Sequence, residues 1–416
     1  MINAVKGTQD LVFPQVATWE RVEAAARAVF ARYGFTEIRT PVLEPTELFV
    51  RGIGGETDIV TKEMFTFADR KGRSITLRPE NTAGVARAVV EGRLYDSPLH
   101  GRLYYIGPQF RYERPQKGRQ RQFHQIGVEV LGDPSAGADA ECIAMVVEFL
   151  QSVGVVGLRV VVNSVGCPNC RPVYVSVLRE ALAPNARDLC ADCQRRLETN
   201  PLRVLDCKVP ADQSILDRTP AFADYLCEAC AEHYERLRET LAILGVEFEE
   251  SHRLVRGLDY YTRTVFEITS SALGAQDALL GGGRYDGLLE AIGGPALPGF
   301  GWALGLERLI AILPPPAPHR LSWTYLAWAG EGTYKAAVAL ARDLREAGKV
   351  VVLEHTPRSF KSALKRADRM DVRYVLLLGE EELGSQRYTL KDMETGQQFA
   401  LAQEELIARL PQEVVP

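Results

Sequence analysis

The chain has 416 residues, 49 Lys and Arg against 54 Asp and Glu, a net charge of -5 at pH 7 and 46% hydrophobic residues. That is enough chain for two or three cored domains, and the acidic balance excludes nucleic-acid binding through a general positive field, leaving only local basic patches for it. No apolar run reaches the ~18 residues of a membrane span, and MINAVKGTQD lacks the layout of a signal peptide, so a cytoplasmic protein without a membrane partner is expected.

Val22, Ala25, Ala26, Val29 and Phe30 recur at helical spacing and predict an amphipathic helix over 16–33, ended at Gly34. GFTEIRTPVLEPTELF reads as a strand that meets Pro41, then a loop, and the residues to about Leu131 as a mainly antiparallel sheet. Within it, RYERPQKGRQRQFHQIGVEVLG reads as strand, basic turn and strand. In the second strand side chains alternate faces: His124, Ile126, Val128 and Val130 on one, Phe123, Gln125, Gly127 and Glu129 on the other. The first face packs. The second offers a ring for stacking and a gap at Gly127 where a small molecule could lie, between Gln125 and a fixed anion at Glu129 about 13 Å away. Arg111 on the partner strand adds a bidentate fork for phosphate or carboxylate. A merely wet sheet face is the alternative.

Helical and cysteine-bearing segments from about 136 to 245 interrupt this pattern, with a helix predicted over 234–244. Cys167 and Cys170 are followed by Cys190 and Cys193, and further on by Cys207, Cys227 and Cys230. In a reducing compartment such spacing favours metal ligation or plain thiols over disulfides. The first two pairs, Cys167, Cys170, Cys190 and Cys193, match a zinc ribbon closed by four thiolates; reduced buried thiols are the competing reading, and the third pair leaves the ligand set ambiguous. The histidines are scattered and form no HExxH, so a water-activating metal is not expected.

LVRGLDYYTRTVFEIT resumes the sheet, a glycine run covers 281–283, and an apolar-striped helix over 304–313 is stopped by prolines 314–316, a natural linker. Beyond it TYLAWA, a helix over 333–347, VVVL, a basic helix over 359–369 and RYVLLLG alternate as in a βαβ domain with a parallel sheet. Neither a Walker sequence nor a G-x-G-x-x-G opening that domain's first helix is present. Polar groups of one kind recur: Glu80 and Thr82 in LRPENT, Arg256, Asp259, Tyr260, Tyr261 and Arg263 in LVRGLDYYTR, Tyr285 in GGGRYDG, Arg308 in GLER. Each arginine alone reads as a salt bridge; Arg111, Arg256 and Arg308 together read as a polyanion site. Basic patches stand at Arg114, Lys117, Arg119 and Arg121 and over 358–373.

These segments resemble the class II aminoacyl-tRNA synthetases, and within them the histidyl-tRNA synthetase family, over essentially the whole chain. FRYERPQKGRQRQFHQIGVEVLG is similar to the second class-defining motif, GFGWALGLER to the third and GFTEIRTPVLEPTELF to the fuzzier first, while LVRGLDYYTRTVFE is similar to the histidine-specific signature. Trp302 stands where the family usually has Phe, and the cysteine pairs are outside its general pattern. The resemblance implies an α+β catalytic domain built on an antiparallel sheet over 1–320, with a helical insertion at about 165–245, and a C-terminal α/β anticodon-binding domain over 321–416. It implies a homodimer with Pro41 at the interface, ATP-dependent activation of L-histidine with Mg²⁺ on the ATP, and transfer to tRNA(His). By the same resemblance Glu80, Thr82 and Gln125 hold the amino group, with Asn81 in the same pocket, and Glu129, Tyr260 and Tyr261 read the imidazole. Arg111 grips the α-phosphate, Arg308 the γ-phosphate and Phe123 the adenine, while Arg256 lies across the α-phosphate; Arg111, Arg256 and Arg308 form the catalytic set. Arg114, Gln116 and Lys117 meet the acceptor stem. The competing readings are the non-catalytic regulatory subunit of ATP phosphoribosyltransferase, which typically lacks the C-terminal module and erodes the ATP-binding arginines, and a threonyl, prolyl or glycyl synthetase, against which RGLDYY and Glu129 decide.

Overall fold

In the computed structural model helix α1 (Gln15–Arg32) occupies the predicted span, buries Trp19, Val22, Ala26, Val29 and Phe30, and gives way to Gly34, whose left-handed φ of 76° reverses the chain. Residues 2–55, 57–116, 118–258, 260–273, 278–314 and 320–412 are described, and the chain divides into two units, Met1–Pro314 and Pro315–Pro416. This division falls a few residues before 320. Arg320 is held by Asp368 and Asp371 inside the second unit, and Pro315 and Pro316 lie outside the described residues.

The strands of the first unit are β1 (Thr36–Glu37), β2 (Leu43–Pro45), β3 (Phe65–Ala68), β4 (Ser74–Leu77), β5 (Arg102–Phe110), β6 (Gln122–Leu131), β7 (Leu158–Ser164), β8 (Glu249–Glu250), β9 (Thr262–Ser270), β10 (Ala278–Arg284) and β11 (Gly299–Gly305). Eight of them form one sheet in the order β1-β5-β6-β11-β10-β9-β7-β8, antiparallel except for the edge pairs β1/β5 and β7/β8. β2, β4 and β3 make a separate three-stranded sheet. The expected run of strands to Leu131 is broken by α2 (Thr46–Ile53) and α3 (Thr82–Glu91). Leu48, Phe49 and Ile53 recur at helical spacing and meet Ala83 in one buried cluster, a short stripe masked by Pro41 and Pro45 just ahead of it.

The apolar face of β6 packs as its alternation requires: Ile126, Val128 and Val130 share a core with α1 and with α4 (Ala136–Ser152). The insertion between β7 and β8 is helical, with α5 (Arg171–Leu182), α6 (Ala191–Thr199), α7 (Pro210–Leu216) and α8 (Glu228–Ile243), and it has its own core. Two expected elements shrink. Pairing resumes only at Thr262, since 251–258 and 260–261 form no strand, and the expected helix over 304–313 splits into the end of β11 and the short α10 (Leu306–Ile310), which follows α9 (Leu288–Ala291).

In the second unit β12 (Leu321–Trp328), α11 (Thr333–Glu346), β13 (Val351–Leu353), α12 (Phe360–Arg369) and β14 (Val372–Leu378) form the expected parallel order β13-β12-β14. The sheet is not purely parallel, however. β15 (Tyr388–Asp392) and β16 (Gln398–Leu401) add an antiparallel hairpin, closed where Gly396, at φ 75°, donates to Asp392 O at 2.8 Å.

One buried ion pair ties the end of β10 to α4. Arg284 is fully buried: Nε donates to Asp139 Oδ2 at 3.2 Å, Nη2 reaches the other oxygen of that carboxylate and Ser135 O, and Nη1 donates to Asp133 O and Asp286 Oδ1. Arg284→Ala leaves the Asp139 charge buried and uncompensated, and should destabilise the first unit by about 3–5 kcal/mol. Denaturant titration of the full chain showing a loss under about 1 kcal/mol would contradict this weighting.

Candidate active site

Phe123, Gln125, Gly127 and Glu129 share the face of β6 opposite α1, but the gap at Gly127 is not vacant. Tyr105, directly across on β5, lies over it, and a Cβ at Gly127 would stand 2.3 Å from the Tyr105 hydroxyl. This corrects the expectation that a small molecule lies there. The open space, a cavity of ≈ 340 Å³, lies beside it over β11 and β10, and its lining includes Gly301, Ala303 and Gly281. That volume suits a small-molecule site.

One end of the cavity is carboxylic. Glu129 is 1% exposed; the Thr82 hydroxyl donates to Oε1 at 2.7 Å and the Tyr285 hydroxyl to Oε2. Burial pushes its pKa up to about 8, against the lowering effect of those two hydrogen bonds and with the help of the nearby Glu80 charge. Burial therefore works against the expected fixed anion in the ligand-free protein. Glu80 accepts the N–H groups of Thr82 and Ala83 at 2.7 and 3.0 Å at the start of α3, and burial raises its pKa too. The side-chain oxygen of Gln125 is buried without a hydrogen-bond partner, an acceptor left over for a ligand. Tyr260 and Tyr261 stand with ring centroids 4.6 Å apart, and Tyr260 meets the Tyr285 ring at 5.7 Å. Asn81 does not join them. Its Oδ1 accepts from the Thr40 hydroxyl at 2.6 Å and Arg78 Nη1 at 3.1 Å, so it braces the start of α3 and does not line the cavity.

The other end is cationic. Arg111 Nε donates to Pro79 O at 2.9 Å and its guanidinium stands 5.3 Å from the Phe123 ring centroid, while Arg308 Nη1 donates to Ala278 O at 2.7 Å. Arg256 crosses β10 at Gly281, where a Cβ would fall 2.0 Å from Nη2, and its Nη1 pairs at 2.7 Å with Glu267, the residue facing Gly281 from β9. Arg256 Nε is buried without a partner. In the basic turn Arg114 and Gln116 are exposed and Lys117 lies outside the described residues, as Asp259 does in its own segment. Arg119 is paired with Glu113 at 3.0 Å and Arg121 stacks over Tyr112 at 4.1 Å, so part of that patch is engaged internally.

Sequence reasoning counted Tyr285 among the recurring polar groups without giving it a specific role, and missed Glu267 and Tyr105. Glu267 left a signal, as a charge inside the apolar run VFEIT. The cysteine set is also corrected. Cys167 and Cys170 gather with Cys227 and Cys230, whereas Cys190 and Cys193 gather with Cys207 and Asp212. The first pair precedes α5 and the last opens α8, which returns to it, so proximity in sequence chose the wrong partners.

A family model described as Histidyl-tRNA synthetase matches residues 7–309, and one described as Anticodon binding domain matches 325–413. A histidine--tRNA ligase of Solibacter usitatus is 52% identical over 411 residues, 99% of each chain. One of Koribacter versatilis is 50% identical, covering 98% of this chain and 95% of the other. Among solved structures, the apo histidyl-tRNA synthetase of S. aureus superposes with a TM-score of 0.81 at 35% identity, over 99% of this chain and 100% of that one.

A carboxyl whose pKa is raised on folding binds its proton more tightly in the folded state, so Glu129 withdraws stability as pH rises from the ordinary carboxylate range through about 8. Ligand-free Glu129→Gln protein should therefore gain thermal stability over the wild type as pH rises from about 4.5 to about 8. Parallel curves of Tm against pH for the two proteins would refute the assignment.

Proposed function

Because the chain belongs to the histidyl-tRNA synthetase family, we propose that L-histidine and ATP meet in the cavity between Glu129 and the three arginines. The enzyme is a class II aminoacyl-tRNA synthetase with an anticodon-binding domain, and its reaction is histidine--tRNA ligation. The observation that carries the placement is one cavity with a hydrogen-bonded carboxyl behind one end and Arg111, Arg256 and Arg308 at the other.

The histidine carboxylate attacks the α-phosphorus in line, giving histidyl-adenylate and pyrophosphate. The terminal ribose hydroxyl of tRNA(His) then attacks the mixed anhydride and releases AMP. Both steps are served by positioning and charge stabilisation. Glu80, Thr82 and the unpartnered Gln125 oxygen take the ammonium group. Glu129, held by Thr82 and Tyr285, reads the imidazole with Tyr260 and Tyr261; an apolar amino acid leaves these groups unpaired, which rejects it. Arg111 takes the α-phosphate, Arg308 the γ-phosphate, and adenine lies on Phe123, sharing the ring with Arg111. Arg256, steadied by Glu267, meets the charge that grows on the α-phosphoryl group. Mg²⁺ carried in with ATP would offset part of the charge of the triphosphate.

Arg114 and Gln116 in the exposed turn face the acceptor stem, and Lys361, Lys365 and Arg369, exposed on α12, face the anticodon arm. Arg358 and Arg366 are less available, being paired with Glu354 at 2.7 and 3.3 Å. The enzyme works as a cytoplasmic homodimer, with Pro41 and the exposed Leu43 at the interface. No helix among the described residues is long and apolar enough to cross a membrane. The regulatory-subunit reading is disfavoured by the matched anticodon domain and the intact arginine set.

Pyrophosphate exchange should depend on L-histidine and on no other standard amino acid; exchange driven by another would reassign the pocket. Arg256→Ala should lower the exchange rate by about 10²–10³-fold with circular dichroism and melting unchanged, and a loss under about threefold would remove Arg256 from the chemistry. A chain ending at Pro314 should keep exchange and lose tRNA charging, an outcome contradicted by full charging of the truncated protein.

A further inference from the structure

The insertion holds two groups of ligand atoms that the reaction leaves unused. In one, Cys167 and Cys170 ahead of α5 meet Cys227 and Cys230 at the start of α8; in the other, Cys190 and Cys193 at the start of α6 meet Cys207 and Asp212. The ligand atoms of each group lie within 4.8 Å of one another. The sulfur separations discriminate between covalent pairing and metal binding. Cys167 Sγ stands 3.8 Å from Cys170 Sγ and 3.8 Å from Cys227 Sγ, and Cys190 Sγ stands 3.8 Å from Cys207 Sγ. A disulfide requires about 2.05 Å. Four sulfurs at about 2.3 Å around a tetrahedral zinc stand about 3.8 Å apart, the bond length times the square root of 8/3.

Backbone N–H groups also point at two of the sulfurs. The N–H groups of Asn169 and Cys170 turn toward Cys167 Sγ, and the Val209 N–H donates to Cys207 Sγ at 3.4 Å. Cysteines cap α5, α6 and α8, whose N-terminal dipoles stabilise negative sulfur. Asp212 is fully buried, accepts the Cys190 N–H at 3.0 Å and lies 3.2 Å from Cys207 Sγ. Among the described residues no Lys, Arg or His forms an ion pair with it. A buried carboxylate without a cation is costly, and a metal ion removes that cost.

We propose that the insertion binds two structural zinc ions, one in each group, and that they clasp the 251–261 segment carrying Arg256 and Tyr261. Each site is filled by four protein ligands, which leaves no position for a reactive water. Val255 and Tyr261 belong to the same buried cluster as Cys170, Cys193, Cys207 and Cys230. Arg171, next to Cys170, donates to Tyr261 O, and Arg253 Nη2 donates to Cys207 O at 3.2 Å. Both zinc sites thus touch the segment through a ligand or its neighbour. Only the catalytic consequence of the clasp rests on the function proposed above.

Elemental analysis of the full-length protein, made without a metal-chelating tag, should find about two zinc per chain. Cys167→Ser with Cys227→Ser should remove about one and keep the other, as should Cys190→Ser with Cys207→Ser. Should these variants fail to fold, wild-type protein stripped of metal under reducing conditions and titrated with Co²⁺ should develop thiolate charge-transfer and tetrahedral d–d bands up to about two equivalents. Zinc below about half an equivalent, with no cobalt bands, overturns both sites. A single equivalent that survives the second substitution pair overturns the Asp212 site. Stripping the metal should also speed amide exchange several-fold in 251–261 and leave β5 and β6 unchanged; unaltered exchange in that segment overturns the clasp. Metal content is read without histidine, so its failure leaves the synthetase reading intact, and absent histidine-dependent exchange leaves the metal count intact.

Discussion

A carboxyl sealed inside the sheet organises the site. Glu129 can be buried only if both oxygens find partners, since an unpaired buried carboxylate is far costlier than the hydrogen bonds it gains. The partners come from distant parts of the chain: Thr82 at the start of α3 and Tyr285 just after β10, with β11 alongside. Satisfying one side chain therefore fixes how α3 and the 285 turn sit against β6, and those elements are the walls of the carboxylic end of the cavity. The same burial disfavours the charged form of the group and raises its pKa.

The arginine end faces the opposite difficulty, several cations close together. The protein answers with geometry as well as counter-charge. Arg256 is set down on the sheet where Gly281 has no side chain and is paired with Glu267 across the strand gap, while Arg111 and Arg308 spend donors on backbone carbonyls. Those contacts hold the guanidinium forks in place before any anion binds, which lowers the reorganisation that binding one requires. Fixed arginines of this kind are planar and always charged, properties a lysine would not supply.

Between these ends lies a division of labour within one strand. The inward side chains of β6 belong to the core with α1 and α4, and the outward ones to the site, so the strand cannot shift register without losing both. The insertion stands apart, with its own core, yet its buried cluster includes Tyr261. Stability of an appended subdomain is in this way coupled to the placement of a cavity-lining ring.

Much of this was legible in the residues. The two-residue alternation of QFHQIGVEV separated core from site, the helical stripe of α1 was read to within a residue, and the motifs pointed to the family and to residues such as Glu80, Arg111, Gln125, Arg256 and Arg308 that line one cavity. What alternation cannot express is which neighbour fills a gap. Gly127 looked vacant because the tyrosine that covers it sits on β5, and Asn81 looked available because its partners, Thr40 and Arg78, lie on other segments. The cysteine pairs failed for the same reason: linear spacing grouped Cys167 and Cys170 with Cys190 and Cys193, while the return of α8 chose Cys227 and Cys230. Local periodicity determined elements such as α1 and the two faces of β6, and the motifs carried the resemblance to the family, because both depend on residues a few positions apart. Tertiary structure alone decided which cysteines gather, where the cavity lies and how deeply Glu129 is buried, because each is set by atoms that only folding brings together.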